Sequence, residues 1–421
     1  MDGSFAGFRM AAPATRALSQ SDQTRPDKHD PVSIHETEGV PHVAAPEELG
    51  LSTERLQALM DRARREVDEG HLPSCQIALA RHGRLAAVAT FGEATNATRY
   101  VVFSCTKALI AATAWTLIAD GTLRESTPAA ELVPEMATNG KEVVTLEHLL
   151  THTAGFPNAP TGGPDWFTRE GRLERFSRWR LDWEPGTRYQ YHPSAAHWVI
   201  AHLIEAATGT DYRQAVAERV TGPLGLDRLT LGAPVGEQGD VARLVVCGEP
   251  PDPKVLAAAF GVTSLPVTEV TDAALVHFNE PEVMALGVPG GGGVTSCADL
   301  ALFYQALLHN PGGLWDPAIL ADGTGRARVT MPDPLLGIPA NRTLGLILAG
   351  DDGNASLRGF GKTASARTFG HGGAAGQIAW ADPATGISFA YATNGIDADM
   401  LRHARRGVAL SSLAASCAAG S

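Results

Sequence analysis

Aromatic residues are scarce in this 421-residue chain, at 6%, and basic charge is in deficit. The 34 Lys and Arg stand against 46 Asp and Glu, a formal charge of −12. No Lys/Arg block offsets that balance, which makes nucleic acid and anionic membrane poor partners. Cysteine is rare too: Cys75, Cys105, Cys247, Cys297 and Cys417 are odd in number and lack C-x-x-C spacing. That pattern argues against a disulfide framework and against a structural zinc site. No apolar run approaches the ~18–20 residues of a membrane span. The longest, Ala108 to Ala119, is broken by Thr113 and Thr116 and has the length of a buried helix. Residues 1–20 show no continuous apolar segment of the signal-peptide kind, so a cytoplasmic location is expected. No G-x-S-x-G occurs, which disfavours the nucleophile elbow of the α/β-hydrolases.

What is present is 44% hydrophobic residues, enough for a sizeable core. Residues 1–45 are rich in Asp, Pro, Thr, Ser and His and are expected to form a disordered tail. The remainder, 46–421, reads as one domain. Ser52 predicts a helix cap ahead of Leu56, Leu59, Met60 and Ala63 at helical spacing. Gln76–Ala80 and Leu85–Thr90, split by Arg81-His82-Gly83-Arg84, predict a β-hairpin. Lys107 to Ala119 is apolar nearly all round, the mark of a core helix. Helices are expected over Leu146–Thr151, Ser194–Ala207 (closed by Gly209) and Tyr212–Val220. Ser296 with Asp299 resembles a capping box opening a helix through Leu308. Strands return at Leu344–Leu348, Gln377–Ala381 and Ile387–Thr393, and a last helix runs from about Asp399 to Leu413. Strands at both ends predict one sheet built from both termini, with a helical region inserted over about 123–275.

The strongest chemical signal is Ser104-Cys105-Thr106-Lys107, just ahead of the core helix. Residues i and i+3 share a face, so Ser104 Oγ and the Lys107 amine lie close together. Burial disfavours a charged lysine, and a neutral one can take the serine proton. The helix N-terminus adds N–H groups where an oxyanion would form. A serine that merely caps a helix, with a lysine reaching for solvent, is the plainer reading of these four residues alone.

Several ordered motifs together carry a resemblance. They are Phe103-Ser104-Cys105-Thr106-Lys107, Thr145 to Gly155 and Pro185-Gly186-Thr187-Arg188-Tyr189-Gln190-Tyr191. The glycine run 290–293 with Ser296 and Asp299 follows, and then Gly370-His371-Gly372-Gly373. From about residue 49 to 395 the chain resembles the serine β-lactamase and penicillin-binding superfamily, in its class C-like branch with family VIII carboxylesterases. The resemblance implies a β-lactamase-like α/β fold, an antiparallel sheet flanked by helices. It implies Ser104 as acylated nucleophile, Lys107 as its base and Tyr191 as proton relay. His371, Gly372 and Gly373 match the third motif, where relatives carry Lys-Thr-Gly or His-x-Gly, and line the substrate site. The N–H of Ala374 would join that of Ser104 in an oxyanion hole. Gly361-Lys362-Thr363-Ala364 is a rival for the third motif and is rejected, because Ala364 replaces the needed glycine.

Two departures point to esters. Where the family often has Tyr-x-Asn, this chain has Tyr191-His192-Pro193, and Pro193 is expected in the first turn of the next helix. The lysine that would meet a substrate carboxylate is replaced by His371. His148 and His152, at i and i+4, are a possible metal pair, but no third ligand is evident and His152 fits a structural turn. Cys105 is expected to pack away from the site. The expected function is ester hydrolysis on a small-molecule substrate through an acyl-enzyme, without metal or cofactor. The alternatives are acyl transfer or β-lactam and D-amino-acid peptide hydrolysis on the same scaffold, and a non-catalytic binding homologue.

Overall fold

The computed structural model describes residues 42–260 and 270–418. All of them belong to one compact unit, Ser33–Ser421. Most of the expected tail lies outside the described residues. Its end does not: Val43 and Ala44 are buried, and Ala44 N–H donates to Leu85 O at 2.8 Å.

The hairpin forms as read, from Ser74–Arg81 and Arg84–Gly92. His82 and Gly83 both take positive φ, 54° and 74°, the conformation a two-residue turn of this twist requires. Ser74–Arg81 also pairs antiparallel with Ile387–Thr393, which pairs with Ile378–Asp382. Phe369–Gly370 and Ile347–Leu348 complete a six-stranded antiparallel sheet that joins both ends of the domain. Successive side chains of a strand face opposite sides. Cys75 accordingly turns to Ala63 O of helix Thr53–Asp68, while Gln76 accepts from Cys297 N–H of helix Cys297–His309. Helix Met400–Ala415 packs beside Thr53–Asp68 on the first of these faces, with Trp380 Nε1 donating to Ser411 Oγ.

Helix Thr106–Ala119 is buried on every face, as its composition predicts. It packs against helix Ala195–Thr208, which Gly209 ends in the left-handed region at φ 72°. The expected helix at Tyr212–Val220 is α-helical to Val216 and continues as a π-turn, Ala217–Thr221. Ser296 caps its helix by accepting from Asp299 N–H at 3.2 Å. The box is not reciprocal: Asp299 turns away and accepts from Arg228 N–H at 3.0 Å. Two small sheets were not anticipated. Tyr100–Val101 and Thr230–Leu231 flank Gly293–Thr295, and Val245–Cys247 pairs in parallel with Gly395–Asp397. The first brings the chain before Ser104 against the glycine run.

Candidate active site

Ser104 sits in a tight 3₁₀ turn, Phe103–Cys105, that feeds the core helix. Phe103 holds φ at 43°, an unfavourable value for a bulky residue, and turns the chain sharply at the serine. Val102 N–H donates to Gly293 O at 2.9 Å, and Gly293 N–H donates to Thr106 Oγ1 at 2.8 Å. A Cβ at Gly293 would fall 2.7 Å from Thr106 Oγ1, so the glycine turn is what lets this backbone approach the helix start.

Lys107 is fully buried. Its Nζ donates to Gly290 O at 2.6 Å, to Pro193 O at 2.7 Å and to Ser104 Oγ at 3.2 Å. The Tyr191 hydroxyl donates to the same Ser104 Oγ at 2.8 Å, and Lys107 Nζ lies 5.1 Å from the Tyr191 ring centroid. The fold therefore brings together the serine, lysine and tyrosine singled out in the sequence. Pro193 departs from expectation. It precedes helix Ala195–Thr208 instead of occupying its first turn, because its carbonyl is turned inward to hold the lysine.

His371 continues the ladder beyond strand Phe369–Gly370, with its N–H on Ala379 O at 3.0 Å. Gly373 N–H donates to Gln377 O at 2.8 Å. A Cβ at Gly373 would meet Val102 O at 2.4 Å, so this segment lies directly against the chain that leads to Ser104. Gly372, by contrast, is exposed and open. Ala374 and Ser104 line one cavity of about 260 Å³, walled by Phe103, Trp166, Trp198, Phe278 and Leu286. Cys105 Sγ points away, onto His371 O at 3.1 Å, and burial pushes its thiol up. Lys362 and Thr363 of the rejected rival bond Ser412 on the last helix instead.

Four buried histidines surround this group: His152, His192, His197 and His371. Burial holds His192 down to about 4. Burial, then the charge of Arg342, holds His152 and His371 well below the ordinary imidazole value. Burial, then the charge of Lys107, does the same to His197. His152 accepts from His192 N–H at 3.2 Å, and its ring lies 4.7 Å from that of Tyr191. His148 does something separate: it forms a capping box with Thr145, each ring or hydroxyl accepting from the other residue's N–H. The sequence reading missed Arg342, which is buried beside Tyr189, Tyr191 and His371. It also missed the carbonyls of Gly290 and Pro193, since a backbone acceptor has no residue-type signal.

Known proteins resemble this chain in sequence and fold. The Beta-lactamase family model matches residues 55–412. The chain is 27% identical over 314 residues to "Esterase/beta-lactamase LipL" of Mycobacterium tuberculosis, covering 70% of this chain and 68% of that one. It is 29% identical over 302 residues to "Esterase EstB" of Burkholderia gladioli, covering 65% and 74%. The crystal structure of a family VIII carboxylesterase superposes with a TM-score of 0.69 at 22% identity, covering 87% of this chain and 99% of the other. The match of one family model across most of the domain, on the fold described above, makes this chain a member of the Beta-lactamase family.

Proposed function

We propose that the protein is a serine hydrolase that cleaves carboxylic esters through an acyl-enzyme on Ser104. The observation that carries this reading is Ser104 Oγ, contacted at once by Lys107 Nζ and the Tyr191 hydroxyl beside an apolar cavity. Two carbonyls occupy two N–H positions of Lys107. Nζ also faces Ser104 Oγ at 3.2 Å. A lone pair there takes the serine proton, and an N–H there returns one. Ser104 Oγ then bonds to the ester carbonyl carbon, and the oxyanion is met by the N–H groups of Ser104 and Ala374. Tyr191 gives a proton to the departing alcohol oxygen as the ester C–O bond breaks. Water adds to the acyl carbon, its proton passes to the Lys107–Tyr191 pair, and Ser104 Oγ leaves with a proton.

Esters suit this site better than β-lactams. A lactam presents an amide and usually a carboxylate. Pro193 has no side-chain amide for the first, and buried, neutral His371 has no charge for the second. The described cavity wall holds no Asp, Glu, Lys or Arg, with His277 its one titratable side chain, which favours an uncharged apolar group in the substrate. The relative named as an esterase alone, EstB, supports the same choice. The catalytic unit in this reading is residues 46–421, with helical insertion 123–275, plus the docked Val43 and Ala44.

The test compares kcat/KM for a short p-nitrophenyl ester and for nitrocefin in one buffer, with fluorophosphonate labelling read by intact mass. The expected result is far higher efficiency on the ester, one adduct on the wild type and none on Ser104→Ala. Equal efficiency on nitrocefin overturns the substrate choice, and an adduct that survives Ser104→Ala moves the nucleophile.

A further inference from the structure

Arg342 is 6% exposed and aims its guanidinium at the back of the site. Its backbone is pinned from both sides: its N–H donates to Val329 O at 2.9 Å, and its carbonyl accepts from Arg328 and Val329. Its Nε donates to the Tyr189 hydroxyl at 2.9 Å, and Nη1 lies 3.2 Å from His371 Nε2. Arginine only donates, so His371 Nε2 is the acceptor, and His371 Nδ1–H then donates to Gly372 O at 2.7 Å. That assignment makes His371 a neutral imidazole. The guanidinium carbon also lies 5.2 Å from the Tyr191 ring centroid and 5.6 Å from that of Tyr189. These partners are a phenol, an imidazole and two ring faces, and none is an anion. A buried positive charge held by neutral groups costs stability, which calls for a role.

We propose that Arg342 is a positioning residue for the hydrolysis: it fixes Tyr191 and His371, and its permanent charge lowers the pH at which the Ser104–Lys107–Tyr191 relay loses its proton. This rests on the relay reading above. Loss of a proton from either Tyr191 or Lys107 removes one unit of positive charge, and a neighbouring cation favours that loss. Among the described groups beside Tyr191, Arg342 and Lys107 carry positive charge, and Asp333 acts on the adjacent Tyr189. Ser104 is neutral, and His152, His192, His197 and His371 are all held below the ordinary imidazole range, so they stay neutral near pH 7. Burial raises Tyr189, which is neutral there as well.

The test is the pH profile of kcat/KM on a p-nitrophenyl ester. Arg342→Gln keeps a donor for Tyr189 or His371 but removes the charge. Its acid limb should move upward by roughly 1–3 pH units, the effect of one charge within about 4–6 Å. Each unit costs tenfold in rate below the limb, and the loss should recover at alkaline pH. Arg342→Lys keeps the charge and should hold the limb near the wild-type position, though with lower kcat. Tyr189→Phe removes a contact of the guanidinium without removing charge and should leave the limb in place. Near-UV circular dichroism checks folding. If Arg342→Gln does not fold, Arg342→Met, which packs without an unpaired polar atom, is read in the same way. A folded neutral variant with an unmoved limb overturns the proposal, as does a lysine variant shifted as far as the neutral one. Fluorophosphonate labelling separates the two readings. A wild type that does not label at Ser104 refutes the relay, whereas labelling with an unmoved limb refutes Arg342 alone.

Discussion

Gly373→Ala tests whether contact between the His371–Ala374 segment and the chain before Ser104 sets the reaction geometry. The φ of Gly373 is −109°, so alanine meets no backbone strain there. The obstacle is contact alone: the new methyl would sit 2.4 Å from Val102 O, 2.9 Å from Gln377 Cβ and 3.2 Å from Gln377 Cγ. Carbon–oxygen contacts are ordinary at about 3.3–3.6 Å, so the segment has to move by roughly 1 Å. Val102 O is backbone and cannot swing aside, and Val102 N–H is itself held by Gly293. The movement therefore falls on Ala374, whose N–H is assigned to the oxyanion. Loss of one such donor costs about 10²–10³ in kcat, or roughly 2.7–4 kcal/mol. Overpacking costs stability about 1–3 kcal/mol, which a domain with this core survives. The assay pairs kcat/KM on a p-nitrophenyl ester with urea unfolding. The expected outcome is a folded enzyme with a hundredfold or greater loss, mostly in kcat. Turnover close to the wild type's in a folded Gly373→Ala protein would refute the reasoning, because the oxyanion donors would then not depend on this contact.

Lys107→Met and Tyr191→Phe should each lose about 10²–10⁴ in kcat while remaining folded, and near-normal turnover in either removes that residue from the relay. Asp397 accepts from Arg402 Nε at 2.9 Å and pairs with fully buried Arg406, which also holds Glu66 at 3.0 Å. Asp397→Ala should therefore lower the unfolding free energy by about 3–5 kcal/mol in urea titration, and a change much smaller than that would show the cluster to be solvated. Removal of residues 1–41 should leave ester turnover intact, because their polar composition offers little to a core; a truncated chain that neither folds nor turns over contradicts that.

What was legible in the sequence was local. Ser104 and Lys107 meet because residues three apart at a helix start share a face, and the helix behind them is buried because it is apolar all round. Ile387–Thr393 forms as a mostly apolar strand buried along its whole length, and Gly209 ends its helix by taking a left-handed φ. The small sheets escaped notice because two or three residues carry no readable period, although one of them sets Ser104 against the glycine run. Pro193 was misplaced by propensity, which scores its ring and not its carbonyl, and the carbonyl is the part that holds Lys107. Asp299 looked like the second half of a capping box, yet its carboxylate reaches Arg228 N–H, a partner that only the tertiary fold supplies. Arg342 is the sharpest case. Its neighbours Asn341 and Thr343 carry no burial signal, and its backbone is paired with distant Val329 as well as with Ile347. Ser104 and Lys107 were therefore recoverable from short-range spacing, whereas Tyr191 entered through the family resemblance. The charge and carbonyl environment that sets when they exchange protons comes from contacts between distant segments, and experiments on proton affinity at this site should begin with Arg342 rather than with the serine.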